Sequence, residues 1–333
     1  MTNRIVKALL LSCLLPVLTF SAKAEHLFTE GKNPELDRLV AAYLEKDREI
    51  DSEIEPRVAA ARDKYIDDLD RIMDDLNEKR RPDEVEKIQK GIKRYQRTGM
   101  KGAPANDQPS AVKLAWTAMT RSVETAEAEV RPKREGIRTQ FLRGLSEIET
   151  SLRQAKDAEG LVLALRARAC INIRGAIEKD RLATTEIFGS KDAPWKDVAG
   201  QGGYVVGFQT NSGQWWEHRV LGEMKPVFET LEGLAEGSPR GNNGGEIVLA
   251  KKGYAVGGLS VRSGDVVNAV QIIFMRINAD GMSLDPKDSY LSDWLGGKGG
   301  GKPKDISGRG RMVVGVTGNS GDIIDGLGLV FLR

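Results

Sequence analysis

Ser320-Gly321-Asp322-Ile323-Ile324-Asp325-Gly326-Leu327-Gly328-Leu329-Val330-Phe331 closes this chain, and the same pattern stands upstream as Ser263-Gly264-Asp265-Val266-Val267-Asn268-Ala269-Val270-Gln271-Ile272-Ile273-Phe274. Each copy follows a short apolar run, Met312-Val313-Val314-Gly315 and Tyr254-Ala255-Val256-Gly257. A looser third copy comes first: Tyr204-Val205-Val206-Gly207, then Gly213-Gln214-Trp215-Trp216-Glu217, then Val227-Phe228. Strand, polar glycine loop and strand, three times over, predict a β fold with internal threefold symmetry. The three loops each read Gly-x-x-x-polar and end in Glu217, Asn268 and Asp325.

Working outward, glycine divides the chain. Of its 37 glycines, 28 fall between Gly200 and Gly328. The stretch before about residue 187 is rich in Glu, Asp, Lys, Arg and Ala instead, a change from helix-forming to turn-forming composition. The expected organisation is an α + β multidomain chain: residues 1–24 a signal peptide, 25–186 a helical hairpin or coiled-coil stalk, and 187–333 all β. Tyr65, Leu69, Ile72 and Leu76 line one helix face. Seven positions recur 76 residues later: these four as Phe141, Leu145, Ile148 and Leu152, Val85 as Leu161, Pro56 as Pro132 and Ile54 as Val130. That is a duplicated helical hairpin, joined through a linker over residues 99–110. Pro56 and Pro132 lack the amide donor and are expected to kink or interrupt their helices at matching heights. A narrow apolar stripe with charged flanks suits helix-to-helix packing, and also homo-oligomerisation.

Residues 1–24 read as a secretory leader, with basic Arg4 and Lys7, an apolar run from Ala8 to Phe20 and Ala22-Lys23-Ala24 as the cleavage site. The protein is expected to be secreted, periplasmic or on the cell surface. Cleavage removes three cations and no acid, so the formal charge of +2 becomes −1. A near-neutral chain has no global pull toward nucleic acid, and no later segment is apolar enough to span a membrane. Cys13 leaves with the leader and Cys170 stands alone, which leaves no intrachain disulfide.

The segment Val314-Gly315-Val316-Thr317-Gly318-Asn319-Ser320-Gly321-Asp322-Ile323-Ile324-Asp325-Gly326-Leu327-Gly328 resembles the closing segment of jacalin-like, mannose-binding-type lectin domains. The resemblance spans roughly residues 195–333, is specific over the last 22 residues, and does not extend to the helical half. It implies a β-prism of three Greek-key sheets around a pseudo-threefold axis. It also implies a sugar site in the Gly321-x-x-x-Asp325 loop, built from Gly321, Asp322, Ile323 and Asp325. The chemistry is consistent on its own terms. A hexose presents neighbouring hydroxyls, a carboxylate accepts from two of them, and charge-assisted hydrogen bonds are the stronger kind. The competing reading is an Asp325 that only caps its own tight turn. Gly264, Asp265 and Asn268 form a candidate second site, and Gly213, Trp215 and Glu217 a third, where Trp215 or Trp216 could stack on a sugar face. The family's second glycine-rich loop has only Gly202-Gly203 as a candidate. Gly299-Gly300-Gly301-Lys302 reads as a flexible loop and not a phosphate cradle.

Enzyme readings find little support. After cleavage only His26 and His218 remain, and neither a nucleophile–base set nor metal-ligand spacing can be assembled. Asp285, Asp288 and Asp293 share one predicted loop but lack calcium-loop spacing. No cofactor and no metal are expected. The expected function is a non-enzymatic carbohydrate-binding protein, a helical spacer presenting a lectin head to a glycan or polysaccharide. Its rival is an envelope scaffold whose β domain contacts proteins.

Overall fold

The computed structural model describes residues 33–333 apart from 99–103, 105–106, 180, 191–193, 201 and 242–243. The leader at 1–24 and part of the linker lie outside the described residues.

Among the described residues, four helices come first: α1 (Pro34–Glu78), α2 (Pro82–Thr98), α3 (Ser110–Ala155) and α4 (Ala158–Glu178). The 76-residue duplication is visible in their starts, since Pro34 pairs with Ser110 and Pro82 with Ala158. It extends to burial: Leu36, Tyr43, Ile50 and Ile54 are buried, and so are Val112, Met119, Ala126 and Val130. Neither proline interrupts its helix. Both are exposed, and so are Ser52 and Ala128, the residues four back whose carbonyls lose an amide partner. At exposed positions the freed carbonyls can be solvated, so the helices continue past the prolines.

The chain divides into two compact units. One holds residues 42–137; the other holds 138–333 with the described part of 22–41. In the first, Ile50 and Ile54 of α1 pack on Ala126 and Val130 of α3, and Tyr65 meets Trp116 edge-on at 5.5 Å. Later α1 residues meet earlier α3 residues, so the two run antiparallel. Arg57–Glu129, Lys133–Glu53 and Arg134–Asp51 bridge them at the surface, and α2 folds Val85 and Ile88 back onto Leu76 and Val112. The division does not fall at the compositional border near 187, because α4 belongs with the sheets. Ala164, Ala167, Ala169, Cys170, Ile171, Ile173 and Ala176 are all buried on it.

Among the described residues, fourteen strands form three antiparallel sheets, each centred on one hairpin of the repeat. The first runs β6 (Gly233–Glu236), β5 (His218–Thr230), β4 (Gly203–Trp215), β8 (Glu246–Leu249), with β7 (Arg240–Gly241) also on β5. The second runs β11 (Leu284–Gly296), β10 (Val267–Ile277), β9 (Tyr254–Ser263), β12 (Lys304–Ser307). The third runs β1 (Leu182–Thr184), β14 (Ile324–Leu332), β13 (Val313–Ser320), β3 (Pro194–Val198), with β2 (Phe188–Gly189) on β14. The glycine-rich stretches over residues 233–245 and 296–310 contain short strands, β6 and β7 in the first and β12 in the second. Inward residues of all three hairpins, among them Val205, Phe208, Val256, Phe274, Val316 and Leu329, share one core. Burying that apolar surface is the main term holding the sheets together.

The two ends of the hairpins are closed differently. At the end where β4 begins and β5 finishes, Cys170, Ile173 and Ala176 of α4 pack with Tyr204, Val206, Val227, Met275, Val314 and Val330. At the turn end, Val220, Val266 and Ile323 form a small cluster with Trp215 over it.

Candidate functional site

Register explains how Asp325 comes to be displayed. On β13–β14, Asn319 pairs with Gly326 and Ser320 with Ile324, which leaves Asp325 as the extra residue of a β-bulge. On β9–β10, Arg262 pairs with Ala269 and Ser263 with Val267, leaving Asn268. On β4–β5, Asn211 pairs with Glu223 and Ser212 with Leu221, leaving Gly222. The three bulges are equivalent, and a bulge re-aims its side chain away from the ladder. The equivalent of Asp325 in the first hairpin is therefore Gly222 and not Glu217. Glu217 lies in the two-residue turn of a longer hairpin, whose extension pairs Gly213 with Val220 and Trp215 with His218. The sequence spacing misleads because the Ser212–Leu221 pair encloses five more residues than the Ser320–Ile324 pair.

A glycine in the left-handed region stands over each bulge. Gly189 (φ 109°), Gly296 (φ 103°) and Gly241 (φ 86°) occupy matching places, and a Cβ on them would collide with the carbonyl oxygens of Asp325, Asn268 and Gly222 in turn. Only glycine accepts both the angle and the approach. Ser190 N donates to Asp325 O at 2.9 Å and Gly297 N to Asn268 O at 2.8 Å. Gly189-Ser190 is thus the glycine-bearing segment beside Asp325, which the sequence reading sought at Gly202-Gly203. Gly202 instead abuts Arg174 and Cys170 of α4, and Gly203 pairs with Thr230. A signal existed, because Gly189-Ser190, Gly241-Asn242 and Gly296-Gly297 each shortly precede a strand that returns beside a hairpin.

Asp325 is half-buried, Gly321 and Asp322 are exposed, and Ile323 is buried in the end cluster. Asp325 Oδ2 accepts from Gly321 N at 2.8 Å, so the acid does cap its own turn. A carboxylate offers about four lone-pair directions, and capping the turn is compatible with accepting from a ligand. The second candidate differs. Gly264 and Asp265 are exposed, but Asn268 is only 9% exposed. Gly299 and Gly300 lie against its amide group, Gly299 with no room for more than a Cβ 3.1 Å from Nδ2. The glycine-rich stretch read as a flexible loop is a close-fitting cover. The third place, Gly222, has no side chain. Among the three bulges, Asp325 carries the acid. Trp215 is part of the end cluster, whereas Trp216 is 81% exposed.

The opposite end is chemically a sealed box. Arg166 on α4 pairs with Glu229 of β5, both largely buried, and Glu229 Oε2 has no partner among the described residues. Burial pushes the Glu229 carboxyl up, outweighing the neighbouring guanidinium. Burial likewise pushes the Cys170 thiol and the Tyr204 phenol well up, with Glu229 adding to both. The Asp285, Asp288 and Asp293 group lies in strand β11 and not in a loop, and Asp288 is taken by Tyr254 and Arg276. Among the described residues, no three His, Cys, Asp or Glu side chains gather as a metal site.

No protein-family model matches the chain, and no curated protein matches it. Among solved structures, it is similar to Malaysian banana lectin (15% identity, 45% of this chain and 98% of that one, TM-score 0.33). It is also similar to a mannose-specific jacalin-related lectin from Morus nigra in complex with mannose (15%, 46% and 96%, 0.34). A third is a mannose-binding jacalin-related lectin from Ananas comosus (14%, 46% and 98%, 0.35). Each likeness covers less than half of this chain, and the functional reading rests on the chain's own hairpins, bulges and register.

Proposed function

We propose that this chain is a non-enzymatic carbohydrate-binding protein, a lectin of the jacalin-like kind, that holds a hexose of mannose, glucose or galactose type at the Gly321–Asp325 turn. The carrying observation is the Asp325 bulge: an acid re-aimed out of the ladder, half-buried beside the exposed Gly321 and Asp322, where the equivalent positions hold a covered amide and a glycine. Asp325 accepts from sugar hydroxyls, and the exposed turn backbone lets a ring approach. The orders β8-β4-β5-β6 and β12-β9-β10-β11 place a returning strand beside the first of three consecutive ones. They support reading the sheets as Greek-key repeats, the third assembled from both ends of the β segment. Export, with removal of residues 1–24, and self-association through the helices complete the reading. A shallow single site binds near millimolar, about 4 kcal/mol, and several heads on one oligomer raise the effective affinity.

The test is a glycan array probed with the full chain and with Asp325→Asn, which keeps an acceptor for Gly321 N and loses the charge. Saturable binding to one sugar class, weakened at least about tenfold in the variant, supports the proposal. The rival scaffold role draws on the Gly321–Asp325 cap, which suffices by itself to explain an acid there. A blank array with a correctly folded chain favours it.

A further inference from the structure

The β4–β5 hairpin continues for three residue pairs beyond the point where its two mates turn, and at its tip stands Trp216. Trp216 is 81% exposed and its backbone is left-handed, φ 54°. It occupies the first central position of a two-residue hairpin turn, where glycine is the residue that adopts such an angle without strain. A bulky side chain held there strains the backbone. Among the described residues its ring meets that of Trp215 edge-on, with centroids 6.4 Å apart at 79°. Glycine in its place relieves the strain and empties no core, so the value of this indole lies outside the folded chain.

Its neighbourhood says what it meets. Trp215 rests on Val220, Val266 and Ile323, and the Gly213 backbone runs so close to Ile323 that a Cβ would stand 3.1 Å from Cγ2. Ile323 belongs to the Gly321–Asp325 turn. The tip therefore rises from the same end of the sheets as the acid, with Trp215 linking the turn on one side to the Trp216 ring on the other. Pyranose rings present hydroxyls at their edges, which a carboxylate reads, and C–H faces, which pack on an aromatic ring. The flanking Glu217, His218 and Arg219 are exposed and mixed in charge, with no basic run to hold an anionic membrane surface. The other large exposed apolar side chains, Leu114, Ile247 and Leu291, lie away from this tip in sequence and strand.

We infer that Trp216 is a stacking platform for a second sugar unit, so that the ligand is an oligosaccharide spanning the Asp325 turn and the hairpin tip. This rests on the lectin reading of the Asp325 turn. The experiment titrates the full chain, Trp216→Gly, Trp216→Phe and Asp325→Asn with methyl glycosides of mannose, glucose and galactose and with a linear trisaccharide of each. Trp216→Gly is expected to weaken the trisaccharide about tenfold, leave the methyl glycoside of the same sugar within about twofold, and keep or raise the unfolding midpoint; Trp216→Phe restores most of the trisaccharide affinity. Unchanged trisaccharide affinity in Trp216→Gly, or an equal loss for both sugar lengths, overturns the inference while Asp325→Asn still reports on the lectin reading. Retention on phosphatidylcholine vesicles that Trp216→Gly abolishes, with sugar affinity intact, makes the tip a lipid contact and also overturns it. If the unaltered chain binds none of the sugars, the lectin reading fails and this inference with it.

Discussion

The two ends of the three-sheet domain are built on opposite principles. At one, α4 is pressed into the sheets, and Arg166, Glu229, Tyr204 and Cys170 are buried together. At the other, three hairpin turns converge on a four-residue apolar cluster and leave Gly321, Asp322, Gly264, Asp265 and Trp216 exposed. A buried charge is tolerable only with its partner, so the first end is rigid and intolerant. An exposed turn needs only its backbone geometry, so the second end is free to vary in chemistry, and it has: acid, covered amide and glycine stand at the three equivalent bulges. Stability and the proposed sugar site are thereby separated along the hairpins.

The sharpest way to break that separation is at the helix end. Arg166→Met leaves Glu229 buried without its cation and should cost about 3–5 kcal/mol, whereas Arg166→Met with Glu229→Leu should come out near neutral; chemical denaturation measures both. Sugar binding should be unchanged in the double variant, and a loss there would tie the two ends together. Because burial raises the Glu229 pKa in the fold, ionising it costs the native state. The stability of the unaltered protein should fall relative to the double variant as pH rises through and above the ordinary carboxylate range. Equal slopes from pH 4 to pH 7 would contradict this.

At the turn end the glycines allow a matched test. Gly189→Ala and Gly296→Ala each force a Cβ onto a carbonyl at positive φ and should each lose about 1–3 kcal/mol. Only Gly189→Ala should also weaken glycan binding, since Gly296 stands over Asn268. Equal effects on binding would place the ligand elsewhere. Asp325→Asn should move stability by less than about 1 kcal/mol, because the cap on Gly321 N survives. Smallest of all, the Cys170 thiol, buried and with its pKa pushed well up, should resist a maleimide in the folded protein and react on unfolding. Rapid labelling of the native chain would show that α4 detaches.

Much of this architecture is legible in the sequence. Short apolar runs around Val313–Val316 and Leu327–Phe331 are local signals, and they became β13 and β14. The Ser320–Phe331 repeat marked the second hairpin residue for residue. The 76-residue spacing located both long helices and the short helix after each. Local patterns encode local geometry, and duplication preserves them.

Other features depended on partners distant in the chain. Glu217 looked like the mate of Asp325 by spacing, but strand pairing across β4 and β5 put Gly222 in the bulge. Gly189-Ser190 became part of the Asp325 neighbourhood only when β2 paired with β14, across about 137 residues of chain. Gly299 and Gly300 close over Asn268, a packing relation that neither segment carries alone. The sequence by itself determined the element types, the threefold repeat and the acid in the last turn, since each is written within a dozen residues. Which bulge stays open, and that α4 seals the far end, were decided by tertiary structure, because burial is set by what the rest of the chain brings alongside.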